Sequence, residues 1–166
     1  MNKIEARKKA LNLRKNFDSK KVSKIKIEKF LNLYGSSLHK IGLYYPIFNE
    51  IDLMPLVELL PNSSFYLPVT KEEIYFVCYN KKTELIPGPF HTFEPVGSRS
   101  SIDELDCILI PCVAVGKDNK RLGYGKGYYD RALKKYTGLK IGVCYDELCG
   151  WDIDSDDYDL TLDKLL

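Results

Sequence analysis

The sequence holds few of the residues that mark metal centres, disulfide scaffolds or membrane spans. It has two histidines, His39 and His91, and five cysteines with no Cys-x-x-Cys pair among them. A zinc site needs four closely grouped thiol or imidazole ligands, so none is expected. An odd number of cysteines without a secretory leader argues against a disulfide framework. Cys78, Cys107 and Cys144 lie in apolar, strand-like runs and are expected to be small buried thiols. No apolar run approaches membrane-spanning length, and the start of the chain is charged, which together predict a cytoplasmic protein with no membrane contact. There is no internal repeat and no low-complexity linker. No Ser-His or Cys-His arrangement suggests a covalent nucleophile, and there is no Gly-x-x-x-x-Gly-Lys-Ser/Thr or Gly-x-Gly-x-x-Gly fingerprint.

What is present is a chain of 166 residues, 45% hydrophobic, enough for one domain with a substantial core. Its net charge of +2 hides an asymmetry. The first forty residues carry twelve Lys/Arg against Glu5, Asp18 and Glu28, while residues 146–166 carry eight acids against Lys164. A basic start suits a nucleotide, a nucleic acid or a solvated helix face. No aromatic residue is interleaved before Phe17, which disfavours single-strand binding, and no nucleic-acid partner is expected.

Residues 3–16 read as a basic helix, with Ile4, Ala10 and Leu11 toward the core and Lys3, Arg7 and Arg14 on roughly one face. Asp18 or Ser19 caps a second helix, about 20–33, whose predicted buried stripe is Val22, Ile25, Phe30 and Leu33. Strands are expected at 41–46, 64–68, 74–79, 106–111 and 139–145. A short helix is expected from Leu53, with Pro55 in its first turn. The proline-rich stretch 86–95 reads as loop. Alternating strand and helix signals predict an α/β fold: a single three-layer domain over 1–166 with a mainly parallel, Rossmann-like sheet. Its ligand cleft is expected at the carboxyl ends of the strands, where Glu50 falls.

The segment Lys120–Arg131 is the most informative. Gly123, Gly125 and Gly127 leave three bare positions in five, so backbone N–H groups can approach a ligand closely. The order around it reads as strand 106–111, loop, then a helix starting near Tyr128 and continuing through the amphipathic run to Tyr136. The start of that helix suits phosphate. Arg121 and Lys126 flank the loop with positive charge. Asp130 in the first helical turn can hold magnesium against the same phosphates. A lone Gly-x-Gly-x-Gly reads more readily as a flexible turn closed by a helix whose Asp130 complements the dipole.

The complete string Arg121-Leu-Gly-Tyr-Gly-Lys-Gly-Tyr-Tyr-Asp-Arg131 resembles the signature of the 5-formyltetrahydrofolate cyclo-ligase family. Further landmarks follow in the family's order from residue 3 to residue 163. These are Lys3, Arg7 and Arg14, the Tyr45-Pro46 followed by Glu50, Phe90-x-x-x-Glu94-Pro95, and Asp159. The resemblance implies an ATP- and magnesium-dependent conversion of 5-formyltetrahydrofolate to 5,10-methenyltetrahydrofolate by a monomer acting on small molecules. It implies ATP binding by Lys3, Arg7, Arg14, Arg121, Leu122, Gly123, Tyr124, Gly125, Lys126, Gly127, Tyr128 and Tyr129. It implies folate binding by Glu50, Phe90, Tyr124 and Tyr128, and magnesium at Asp130 and Asp159. The chain departs from the family pattern at His91, Cys112, Gly116 and Tyr158, and carries Tyr124 where some members carry Arg. Two other readings are a different ATP- or phosphate-ligand enzyme on the same scaffold and an inactive, nucleic-acid-binding relative.

Overall fold

Two helices open the chain in the computed structural model, which describes residues 1–166. Helix α1 spans Lys3–Arg14 and is capped by Asn2, whose Oδ1 accepts from the Glu5 N–H at 2.9 Å. Its buried residues are Ala6, Ala10 and Arg14, one per turn. Ile4, expected in the core, is exposed, and Leu11 is half-buried. The two alanines let the helix backbone come close, and the larger Ile4 is left outside.

Helix α2, Ser19–Tyr34, is capped by Asp18 through the Lys21 N–H. Its buried face is Ser23, Lys26, Ile27 and Phe30, spaced as an amphipathic helix requires. Ile25 and Leu33 are exposed, against expectation. Two polar residues hid the true face, and both are satisfied there. Ser23 Oγ accepts from the Asp52 N–H at 2.8 Å, and Lys26 Nζ donates to the Leu166 carbonyl at 2.6 Å and Asp146 at 2.7 Å.

The chain continues through β1 (Lys40–Gly42), α3 (Leu56–Leu59), β2 (Ser64–Thr70), β3 (Ile74–Tyr79), β4 (Leu85–Pro87), β5 (Phe93–Pro95) and β6 (Arg99–Ser100). It ends through β7 (Cys107–Pro111), β8 (Ala114–Gly116), β9 (Arg121–Leu122), α4 (Tyr128–Ala132), β10 (Leu139–Val143), β11 (Cys149–Trp151) and β12 (Lys164–Leu165). Seven strands form the central sheet in the order β12-β10-β7-β1-β2-β3-β6. From β12 to β2 every pairing is parallel, and β3 and β6 add an antiparallel edge. This is a mixed α/β fold with a large, mainly parallel central sheet, as the sequence predicts. Cys107–Ile110 of β7 are all buried, so both faces of the sheet are covered there. No helix is long and apolar enough to cross a membrane.

Several local expectations give way to the structure. The β1 ladder stops at Gly42, and helix α3 starts only after Pro55. Strand β2 runs on through Pro68, which lies beyond the end of β1, where β2 has a neighbour on one side only. The stretch 86–95 is not simply loop: β4 and β5 form a hairpin around a 3-10 turn at Pro89–His91, with Pro87 and Pro95 at strand ends. Cys78 points outward from β3 and is exposed, unlike buried Cys107 and Cys144. The helix after the glycines begins at Tyr128 as expected but ends at Ala132. The loop does not follow β7 directly, because β8, β9 and β11 form a small separate sheet and the loop leaves from β9.

Candidate active site

The order of the central sheet reverses between β1 and β7. From β1 the chain moves outward to β2 on one side, and from β7 it moves outward to β10 and β12 on the other. A crevice opens beyond the carboxyl ends of strands at such a reversal. Tyr44 and Tyr45, just past β1, and Pro111, at the end of β7, line a cavity of about 320 Å³ there. Phe48 and Phe90 stand on its walls with Pro68 and Ile74. Glu50 and Arg121 also line it, with Tyr124, Gly125, Lys126, Gly127, Tyr128 and Tyr129 of the glycine loop.

Glu50 is 8% exposed. Its Oε2 accepts from the Ile47 N–H at 2.9 Å and its Oε1 from the Tyr124 hydroxyl at 3.2 Å. Burial raises its pKa above the usual carboxylate value, opposed by the Ile47 N–H, the Arg14 charge, the Tyr124 hydroxyl and Arg121. The loop bearing Glu50 is fixed by Asn49, whose Nδ2 donates to the carbonyls of Arg14 at 2.7 Å and Phe17 at 3.1 Å. Phe48 and Asn49 both have positive φ, as do Phe90 and His91 on the opposite hairpin. The Phe48 ring meets His91 and Tyr124 edge-on, with centroids 5.6 and 6.4 Å away. His91 itself is exposed on the loop.

The glycine loop rests on Arg121. The Arg121 Nε donates to the Pro111 carbonyl at 2.9 Å, and its guanidinium lies 4.8 Å from the Tyr129 ring. A Cβ at Gly123 would run into that guanidinium, so the backbone passes close only because the side chain is missing. Leu122 is buried beneath the loop. Gly127, at φ +70°, caps α4 in a left-handed conformation. Lys126 is exposed at the loop's crown. Arg7 crosses from α1 and its Nε donates to the Gly123 carbonyl at 2.7 Å.

A second cavity, about 410 Å³, lies on the other side of Gly127 and is lined by Asp130, Asp159, Lys134 and Lys140. Asp130 Oδ1 accepts from the Leu160 N–H at 3.0 Å. Lys3 Nζ bridges Asp156 and Asp159, at 2.7 Å from each, and thereby ties the first helix to the acidic tail. The contact with Lys3 also holds the Asp156 carboxyl below its usual range.

Magnesium keeps several waters and takes one or two carboxylates beside substrate phosphates, so Asp130 and Asp159 on the wall of this cavity fit it. No group of three or more candidate ligands is needed for such a site, and none exists in the chain. Asp130 Oδ2 has no hydrogen-bond partner within the protein, whereas Asp159 is engaged by Lys3.

The structure therefore gathers the predicted residues around two adjoining cavities. Glu50, Phe90 and residues 124–129 face the apolar one, and Asp130 and Asp159 face the polar one. Lys3 reaches Asp159 on the polar side and Arg7 reaches the Gly123 carbonyl of the loop, and neither lines a cavity. Arg14 stands apart, lining neither cavity. Sequence reading missed the aromatic walls Tyr44 and Phe48 and the acid Asp156, and took Tyr45 as a landmark without a place in the wall. A Tyr-Tyr-Pro at a strand end is a legible wall signal, whereas Phe48 becomes visible only through its left-handed backbone.

The family model described as the 5-formyltetrahydrofolate cyclo-ligase family matches residues 2–166. A 5-formyltetrahydrofolate cyclo-ligase of Mycoplasma pneumoniae is 37% identical over 133 residues, covering 76% of this chain and 71% of the relative. The solved structure of Aquifex aeolicus 5,10-methenyltetrahydrofolate synthetase superposes with a TM-score of 0.86 at 37% identity, over 98% of this chain and 88% of that one. That of a 5,10-methenyltetrahydrofolate synthetase from Mycoplasma pneumoniae gives 0.77 at 31% identity, over 99% and 98%.

Proposed function

The chain belongs to the 5-formyltetrahydrofolate cyclo-ligase family and is a ligase of that class, and we propose that it uses ATP and magnesium to convert 5-formyltetrahydrofolate to 5,10-methenyltetrahydrofolate, releasing ADP and phosphate. The observation that carries this reading is the pair of cavities meeting at Gly127. One is aromatic-walled with a buried carboxylate; the other carries lysines and three aspartates, Asp130, Asp157 and Asp159. A substrate whose ring lies in the first presents its reacting group to a phosphate held in the second.

The chemistry needs no protein nucleophile. A formamide oxygen is a poor leaving group. When it takes the γ-phosphoryl group of ATP, ADP departs and the formyl carbon becomes electrophilic. N10 then attacks that carbon and loses its proton. Phosphate leaves with the former formyl oxygen, and an N5–C–N10 amidinium bridge remains. Positioning and charge neutralisation supply the catalysis.

In this reading the Glu50 carboxylate accepts from the amino group and ring N–H of the pterin. Phe90 and Tyr128 pack on the ring, and Tyr124 orients Glu50. Arg121, Lys126 and the loop amides receive the phosphates from the loop side of Gly127, where the two cavities meet, with Lys3 and Arg7 beside the loop. Asp130 and Asp159 hold magnesium, which when bound neutralises charge on the phosphate oxygens. The whole chain, 1–166, acts as one cytoplasmic domain, a reading supported by a continuous core of 36 buried residues and the family match over 2–166.

The test is the absorbance of methenyltetrahydrofolate formed from 5-formyltetrahydrofolate and magnesium, with and without ATP. A rise that requires ATP and vanishes in Asp130→Ala is expected. A protein that binds ATP but produces no rise is a different phosphate-transfer enzyme on this scaffold.

A further inference from the structure

Arg14 is one of the largest fully buried side chains in the protein, at 2% exposed. Its Nη2 donates to the Tyr124 hydroxyl at 2.5 Å, and its guanidinium carbon lies 5.7 Å from the Tyr124 ring. Its Nε is buried and has no hydrogen-bond partner. A buried cation with so few partners depends on a nearby anion. Tyr124 passes its own hydrogen to Glu50 Oε1 at 3.2 Å. Arg14 and Glu50 line the two sides of one narrow recess with Tyr44, Cys112 and Tyr145.

The three α1 cations expected at the ATP site therefore diverge. Lys3 holds Asp156 and Asp159, and Arg7 holds the Gly123 carbonyl. Arg14 is about 16 Å from Lys3 along the helix, at the pterin end of the crevice. Its backbone carbonyl accepts from Asn49, the residue before Glu50. One helix turn thus grips both the Glu50 loop and the glycine loop.

We propose that Arg14 is a positioning residue for the folate side of the cleft, acting through Tyr124 to orient Glu50, and does not contact phosphate. The proposal rests on the functional reading above and assigns this residue a place in it. The groups facing Glu50 are Arg14 from α1, Tyr44 beyond β1, Cys112 beyond β7, Arg121 from β9, Tyr124 from the loop, Tyr129 from α4 and Tyr145 beyond β10. Only Arg14 and Arg121 among them are cations. Arg14 is thus one of the two cations that, with the Ile47 N–H and the Tyr124 hydroxyl, oppose the effect of burial on Glu50.

The test titrates the full chain separately with 5-formyltetrahydrofolate and with magnesium-ATP, by calorimetry, across pH. Arg14→Gln is expected to weaken folate binding about tenfold, the scale of a hydrogen bond to a charged group, and to leave ATP within about twofold. The acid limb of folate affinity moves to higher pH, because Glu50 protonates earlier as pH falls. Arg14→Lys restores part of the loss. Tyr124→Phe, which leaves the helix untouched, gives a similar folate loss, and the double variant is no worse than either single one.

Weakened ATP binding with intact folate binding overturns the proposal. So does a double variant whose losses add, or folate binding unchanged in both single variants. If Arg14→Gln does not fold, Tyr124→Phe decides by the same criterion. Failure of the wild-type chain to bind 5-formyltetrahydrofolate at all overturns the functional reading itself, a distinct result.

Discussion

Lys3 Nζ meets both carboxylate oxygens of Asp159, at 2.7 Å from Oδ1 and 2.6 Å from Oδ2. The second residue of the pair lies at the far end of the chain, so the contact closes the basic start onto the acidic tail. It also sets a cation against a carboxylate proposed to hold magnesium. Lys3→Gln is expected to tighten binding of magnesium alone and to weaken binding of ATP. Asp159→Asn raises the magnesium needed for half-maximal activity about tenfold. Each changes stability by less than about 1 kcal/mol, because partly exposed pairs contribute little. Metal titrations and melting curves check all three.

Gly127 holds φ +70° at the junction of the two cavities. Gly127→Ala is expected to cost about 1 kcal/mol, with a clear fall in activity as the loop relaxes from that geometry. Gly127→Asn costs less, since asparagine tolerates the left-handed region. Chemical denaturation beside turnover measures both.

Glu50 links stability and pH in a defined direction. Burial holds its folded pKa above the unfolded value. Ionised Glu50 therefore costs the fold stability once pH rises through the folded pKa, and the cost is absent below the unfolded value. Glu50→Gln is expected to melt higher than the wild type at pH 8. The gap narrows as pH falls and closes near the unfolded carboxylate value of about 4.3. The same change weakens 5-formyltetrahydrofolate about 10- to 100-fold, as expected for loss of a charged hydrogen-bond partner. A variant that gains stability while losing the ligand identifies Glu50 as a functional residue.

The thiols divide by environment. Cys78 is exposed, while burial pushes Cys107 and Cys112 up to about 12. A thiol reagent is expected to label Cys78 in the native protein and to leave Cys107 and Cys112 untouched until unfolding. Activity survives labelling of Cys78, which lines neither cavity. Mass spectrometry of the labelled peptides reads this directly.

The site was more legible than the elements that carry it. The string from Arg121 to Arg131 marks the loop through its resemblance to a family signature, since glycine spacing and charge alone fit a flexible turn as well. The place of Glu50 after a strand and a proline puts it at the cleft, and only the resemblance separates it there from an ordinary loop acid. Helix faces were misread where polar side chains are buried with specific partners. Lys26 reaches the Leu166 carbonyl and Ser23 the Asp52 N–H, contacts that depend on residues far along the chain. The hairpin of β4 and β5 was hidden by its prolines, which sit at strand ends. The small sheet of β8, β9 and β11 was not legible, because strands of two or three residues leave almost no periodic signal. Arg14 was legible as a cation on the correct face, but its burial against Tyr124 depends on tertiary packing.

The central claim is that the two cavities present the formyl oxygen of one substrate to the γ-phosphoryl group of another. Turnover of 5-formyltetrahydrofolate labelled with ¹⁸O in the formyl group, followed by mass analysis of the inorganic phosphate, tests it most directly. The account predicts one ¹⁸O atom in each phosphate released. Unlabelled phosphate formed together with methenyltetrahydrofolate would contradict it, because the oxygen would then have left by a route that bypasses the phosphoryl group.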